Sequence, residues 1–246
     1  MNKQTTRKGV ACYALALAAS LMLAMAFTLN ACGGDGGGGD DIPASSSSGG
    51  GSPSSSSQTS PKCGSVEYNP TEKLCDERDK KLYKYVEING QTWMAENLNY
   101  SVSESKCYEN NNANCAKYGR LYDWETAKKA CPSDWRLPSI EDWEKLIYYV
   151  MDDKGCTDGC PSEHLKSVSD WNDNSSNGED SYDFSALPGG AGYGDIFDYA
   201  GDRARLWSAS TSERDDNDAR FLQLDDGVSY GETNKDLLQS VRCIQD

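Results

Sequence analysis

The sequence predicts an α+β domain with segregated elements, and three observations carry that prediction. A strand pair is centred on Asn89-Gly90, two helix signals follow each other between 123 and 151, and short strands return after 204. Strands come first and last and helices lie between them, which is not the alternation of βαβ units. An even set of eight cysteines beyond residue 62 adds the expectation of disulfide bracing.

The first 31 residues stand apart from this head. Lys3, Arg7 and Lys8 form a positive start, and Val10 to Leu29 is an unbroken run of apolar and small residues. That is the layout of an export signal, although the run is also about as long as a membrane-spanning helix. Leu29-Asn30-Ala31-Cys32 resembles a bacterial lipobox, with Asn30 an unusual residue inside it. The resemblance implies cleavage before Cys32 and acylation of that cysteine. Several acyl chains would hold the chain on a membrane firmly, each buried methylene adding about 0.8 kcal/mol.

Residues 32–62 are expected to be a tether. After Cys32 they are almost all Gly, Ser, Pro and Asp, with Ile42 the only large aliphatic. Such a composition buries too little apolar surface to offset chain entropy. A flexible coil of about 30 residues reaches roughly 30 Å. Gly33 to Asp41 resembles the acidic-glycine stretch that sends some lipoproteins to the outer face of the cell, so the expected location is the outer membrane with the head at the surface.

The head, residues 63–246, has 184 residues, enough for one domain with its own core. Removing the leader removes three cations, so the net charge moves from −15 to −18. A surface this acidic repels nucleic acid, whose binding depends on neutralising phosphates.

Leu82, Val86 and Ile88 alternate with Tyr83, Tyr85 and Glu87, Asn89-Gly90 makes the hairpin turn, and Gln91 to Met94 returns. Asp123 is placed to cap a helix carrying Trp124, Ala127 and Cys131 on one face, and Pro132 ends it. Ser139 and Asp142 form a capping box before Trp143, Leu146, Ile147 and Val150, an apolar stripe at helical spacing. Residues 152–204 are rich in Asp, Asn, Ser and Gly and predict a long loop region. Strands follow at 206–210, at 219–224 and at 240–244, with a turn at Asp226-Gly227 before Val228.

Cys63, Cys75, Cys107, Cys115, Cys131, Cys156, Cys160 and Cys243 remain in the mature head. Eight cysteines allow 105 pairings, and proximity favours Cys63–Cys75, Cys107–Cys115 and Cys156–Cys160. Cys131 and Cys243 are then left for one long bridge. The rival is a zinc site at Cys156, Cys160 and His164, whose spacing is not that of common zinc fingers.

Six blocks resemble the Fibrobacter succinogenes major paralogous domain. They are the run from Asp76 to Tyr100, Tyr118-Gly-Arg-Leu-Tyr-Asp-Trp124, Ala130-Cys-Pro-Ser-Asp-Trp-Arg-Leu-Pro-Ser139, Phe184-Ser-Ala-Leu-Pro-Gly-Gly190, Leu206-Trp-Ser-Ala-Ser210 and Ser240-Val-Arg-Cys-Ile244. They stand in the family's order and cover about Cys75 to Asp246. The resemblance implies a C-type-lectin-like fold, in which two helices flank sheets, the domain ends meet, and a long loop region carries ligands. A helix-to-last-strand disulfide is one of its marks. Arg136-Leu-Pro-Ser-Ile-Glu-Asp-Trp143 is also similar to formylglycine-generating enzymes, which implies an oxidase as the alternative. Those enzymes hold copper with a pair of thiols in their C-terminal part, where this chain has only Cys243. The family brings no assigned activity, and fold does not supply one.

Candidate chemistry is sparse. His164 is the only histidine and sits in a charged stretch. The glycines at 189, 190, 192 and 194 lack the Gly-Lys-Ser/Thr of a phosphate loop and are expected to permit a tight, irregular backbone. Trp171-Asn172-Asp173 resembles a lectin calcium motif without its Glu-Pro-Asn partner. Asp170, Asp173, Asp180 and Asp183 offer hard oxygens, so calcium is the one cofactor kept in view. Trp171, Tyr182, Tyr193 and Tyr199 fall in the loop region, where exposed rings beside amides and carboxylates suit a sugar or a protein partner. The expected function is therefore non-catalytic recognition of a polysaccharide or an envelope protein, by Trp171, Asn172, Asp173, Tyr182 and Tyr193. A ligand-free structural role in the envelope is the other alternative.

Overall fold

A computed structural model of the protein describes residues 60–157, 159–172 and 176–246. The leader, nearly all of the tether and the expected lipid site at Cys32 lie outside the described residues. In chain order the strands are β1 (Lys62–Cys63), β2 (Val66–Glu67), β3 (Lys73–Asp76), β4 (Lys81–Ile88), β5 (Gln91–Met94), β6 (Ser105–Lys106), β7 (Leu121–Tyr122) and β8 (Trp135–Arg136). They continue with β9 (Gly189–Tyr193), β10 (Ile196–Ala200), β11 (Ala204–Thr211), β12 (Asp218–Leu224), β13 (Val228–Asn234), β14 (Leu238–Ser240) and β15 (Ile244–Gln245). The helices are α1 (Asn112–Tyr118), α2 (Trp124–Ala130), α3 (Ile140–Lys154) and α4 (Cys160–Leu165).

The structure is richer in strand than the α+β expectation implied: the described residues form fifteen strands and four α-helices. One sheet runs β13-β12-β11-β9-β14-β7-β6 with β10 paired to β9, and a second runs β3-β4-β5-β15-β8. The stretch 152–204, expected to be loops, contains the end of α3, all of α4 and the β9–β10 hairpin. Its glycines and acids hid the strands, since β propensity resides in branched and aromatic side chains.

Local signals operate as the sequence implies. Asn89 and Gly90 take φ of 52° and 69°, the left-handed pair that a two-residue hairpin turn demands. The Asp123 carboxylate accepts from the Thr126 amide at 2.9 Å and starts α2. At the other end Arg78 donates to the carbonyls of Ala130 (2.8 Å) and Cys131 (3.2 Å) while gripping the buried Asp76 with both arms of its guanidinium. A cation on those carbonyls also suits the helix dipole.

The two sheets lie between two cores. Leu206, Leu222, Trp93 and Ile244 pack with Trp143, Leu146, Ile147 and Val150 of α3. Their strand neighbours Trp207, Phe221, Met94 and Cys243 pack with Trp124, Ala127 and Ala130 of α2. Successive strand residues face opposite ways, so α2 and α3 cover opposite faces. The same geometry covers both faces of β4: Tyr83 is 3% exposed and belongs to the α2 core, while Ile88 belongs to the α3 core.

Four disulfides brace the head: Cys63–Cys75, Cys107–Cys115, Cys131–Cys243 and Cys156–Cys160. Cys131 follows the last turn of α2 and Cys243 precedes β15, which lies between β5 and β8.

The α3 capping box carries a testable charge. Burial raises the pKa of Asp142, but Arg136 at 2.6 Å and the Ser139 amide at 2.9 Å outweigh it and hold the carboxyl below its ordinary value. A depressed acid stabilises the fold above its unfolded pKa, and the contribution is lost as pH falls through the folded value. Asp142→Asn is expected to cost about 1–2 kcal/mol at neutral pH. Urea denaturation of both forms should show the gap closing toward pH 3. A gap independent of pH would contradict the assignment.

Candidate functional site

The residues singled out between 171 and 193 do not form one surface. Trp171 is 7% exposed and lies in the α3 core, its ring N–H donating to Ser167 Oγ (3.1 Å) and the Ala186 carbonyl (3.3 Å). Its ring is a core element, which corrects the expectation of a sugar-facing tryptophan. The polar chain on both sides hid this, because burial here comes from contacts distant in sequence. Asn172 is exposed and holds its loop to Asp202 (3.1 Å) and, through its backbone N–H, to the Gly201 carbonyl (2.8 Å). Asp173 lies outside the described residues. Tyr182 is half-buried against Tyr149, with its hydroxyl donating to the Asp153 carboxylate. Burial and that carboxylate push its phenol pKa upward. It pins the chain to the end of α3.

The acids considered for calcium are engaged separately. Asp170 pairs with Lys117 at 2.9 Å, and Asp180 accepts from the Ser185 amide at 2.7 Å and from its hydroxyl. Among the described residues no group of three or more His, Cys, Asp and Glu is placed to hold a metal ion. His164 lies near Ser181 (2.8 Å) and Glu179 (3.2 Å), but both approach the same ring nitrogen, Nδ1. A triad needs the hydroxyl and the acid on opposite nitrogens. Cys243, which an oxidase reading would need as a thiol, is bridged to Cys131.

What does project is the β9–β10 hairpin. Its glycines are required by close approach. A Cβ at Gly190 (φ +66°) would lie 2.4 Å from the Asp198 carbonyl, and one at Gly192 would lie 2.8 Å from the Phe197 ring. The glycines thus permit a tight backbone, as expected, but within a strand: Gly190 takes a positive φ inside β9, and the partner strand sits almost on top of it. The tip is clamped. Lys106 donates to the Gly194 carbonyl (2.8 Å) and Asp195 (2.9 Å), Asn110 reaches Asp195 at 3.3 Å, and Phe197 rests on Tyr108.

On this braced hairpin three large apolar side chains face water within seven residues. Tyr193 is 58% exposed, Ile196 68% and Tyr199 42%. Tyr193 and Ile196 are direct cross-strand partners beside the turn. Tyr199 takes φ of +70°, a strained conformation for an aromatic residue, and its carbonyl accepts from the amides of Asp202 and Arg203 at 3.0 Å each. The Arg203 guanidinium lies over the Tyr199 ring at 4.2 Å, and Arg205 lies over Phe221 at 4.0 Å.

Of the residues expected to bind, then, Tyr193 alone is a large apolar group open to solvent. Sequence reasoning placed Tyr199 among the loop aromatics but passed over Ile196, Arg203 and Arg205. The available signal was Arg205 standing between Ala204 and Leu206, a cation in an otherwise apolar strand run. A family model described as the Fibrobacter succinogenes major domain matches residues 86–245. No curated protein and no solved structure matches the chain.

Proposed function

This chain belongs to the Fibrobacter succinogenes major domain family, and from that premise we propose that it is an envelope lipoprotein whose head binds polysaccharide without catalysis. The observation that carries the reading is the exposed set of Tyr193, Ile196 and Tyr199 on a hairpin clamped at its tip. Exposed apolar groups on a rigid element mark a binding surface, because a mobile loop would lose more entropy on engagement. Tyrosine rings suit the apolar faces of sugars while their hydroxyls stay wet. The basic start, apolar run and Cys32 support export and lipid anchoring at the outer membrane, with residues 32–62 holding the head clear.

We assign the head to the C-type-lectin-like class. Supporting features are helices α2 and α3 on opposite sheet faces, β15 pairing with β5 near the start of the head, and the Cys131–Cys243 bridge from α2 to the last strand.

The test is binding of the purified full chain to plant and bacterial polysaccharides, with calcium and with chelator. Tyr193→Ala is expected to weaken binding by about 5- to 30-fold, corresponding to about 1–2 kcal/mol. Its folding stability should change by no more than about 0.5 kcal/mol, as for other exposed positions. Binding that survives both Tyr193→Ala and Tyr199→Ala would remove the hairpin from the site. Loss with chelator would restore a metal to the mechanism. A chain that binds no glycan but retains an envelope protein would replace the polysaccharide reading.

A further inference from the structure

We propose that Arg203 and Arg205, beside Tyr199, form a carboxylate-binding subsite, so that the polysaccharide recognised is an acidic one carrying uronate sugars. This rests on the recognition reading above and narrows it to a class of ligand.

The first support is a buried guanidinium nitrogen without an acceptor, in a chain of 39 acidic residues against 24 Lys and Arg. Arg78 holds Asp76, Arg136 holds Asp142 and Asp246, and the buried Arg242 donates to carbonyl oxygens. Arg203 and Arg205, like Arg120, Arg214 and Arg220, have no carboxylate at ion-pair distance among the described residues, but only Arg205 leaves a buried guanidinium nitrogen without an acceptor. Arg205 is partly buried on Phe221, and its Nε–H is buried with no acceptor. Burial lowers its pKa, the neighbouring Arg203 lowers it further, and Tyr199 opposes them. A partly desolvated cation beside a like charge is costly unless an anion joins it.

The second support is the chemistry of the neighbours. A guanidinium presents parallel N–H groups that match the two oxygens of a carboxylate. Here the Arg203 guanidinium lies over the Tyr199 ring of the exposed hairpin, and Arg205, two residues on along β11, lies over Phe221. A uronate sugar has both halves of the complement, an apolar ring face for Tyr199 and a carboxylate for the arginines. Tyr199 is fixed for this by two backbone hydrogen bonds despite its left-handed φ. The acidic surface elsewhere makes the cationic patch local, which favours short probes.

Isothermal titration of the full chain with α-1,4-linked tri-galacturonate and with α-1,4-galactotriose compares ligands that differ in the carboxylate. Tri-galacturonate is expected to bind about 10- to 100-fold more tightly, the range of a charge-assisted hydrogen-bonded pair. Arg205→Met keeps an apolar cover on Phe221 and should abolish the preference. Arg205→Lys keeps the charge without the fork and should fall between. Arg203 is not part of either core, so Arg203→Met gives the same test if Arg205→Met misfolds. Equal affinity for the two probes, lost together on Tyr193→Ala, would overturn the acidic subsite and leave the recognition reading standing. Binding of neutral glycans alone would overturn it too. No binding to any glycan would overturn both.

Discussion

Arg242→Met is expected to cost about 3–5 kcal/mol of folding stability, one of the two largest losses available to a point change in this domain. Arg242 is fully buried, and burial brings its pKa down to about 10. Among the described residues no carboxylate pairs with it directly. Its Nε and one terminal nitrogen donate to Asn97 Oδ1 at 3.2 and 2.8 Å, and its remaining donors take the carbonyls of Phe184 and Ser185. Asn97 in turn donates to the Tyr118 carbonyl at 2.9 Å. One side chain therefore joins the C-terminal strands, the segment after β5, and residues 184–185. Methionine fills similar volume but leaves three buried oxygens without donors, each costing about 1–3 kcal/mol before relaxation. Arg242→Lys should also be destabilising, because one ammonium lacks the planar fork these acceptors surround. Chemical denaturation measures the loss, and hydrogen exchange should rise first at 180–185, where Asp180, Asp183 and Ser185 are held at positive φ. A loss below about 1 kcal/mol would mean that water replaces the guanidinium and the account is wrong.

The second large effect concerns Cys131–Cys243. These cysteines are 112 residues apart, against 4 for Cys156–Cys160. If cross-links act mainly by restricting the unfolded chain, losing the long bridge costs about 4–5 kcal/mol and losing the short one about 2. Replacing both partners by alanine avoids a stray thiol. Urea denaturation should then rank the double variants by loop length, with Cys63–Cys75 above Cys107–Cys115 in between. Equal losses for the longest and shortest loops would show that native packing around the sulfurs sets the stability. Cys243 adjoins Arg242, so losses at these two sites should not add.

Much of this architecture is visible in the sequence wherever the physics is local. Asn89-Gly90, Asp123, and Ser139 with Asp142 act on backbone groups within four residues, and each performs the role its type and position imply. The α3 stripe is legible for the same reason, since helical spacing converts directly into a buried face. Two helices lacked such a signal. Helix α1 is a two-turn element whose Asn111 cap stands in an asparagine run, and α4 begins at a disulfide-bonded cysteine followed by proline.

The candidate site was less legible. Trp171 and Tyr193 look alike in sequence, aromatics among polar and small residues, yet one is in the core and the other in solvent. The difference arises from contacts such as Ala186 on Trp171 and Lys106 on the hairpin tip, the latter 88 residues from Gly194. A glycine-rich strand is similarly hidden, because its identity lies in the strand that packs over it.

The sequence by itself determined the segregated order of elements, the turns and caps, the cysteine pairs of short span, and an acidic head following a basic start and an apolar run. Tertiary structure alone decided that strands predominate, that β15 lies between β5 and β8, and that Arg242 is buried while Arg203 and Arg205 lack carboxylate partners among the described residues. The division follows the range of the forces. Caps and turns are satisfied by neighbours in the chain, whereas burial, strand pairing and the company of a charge depend on residues that meet only when the chain has folded.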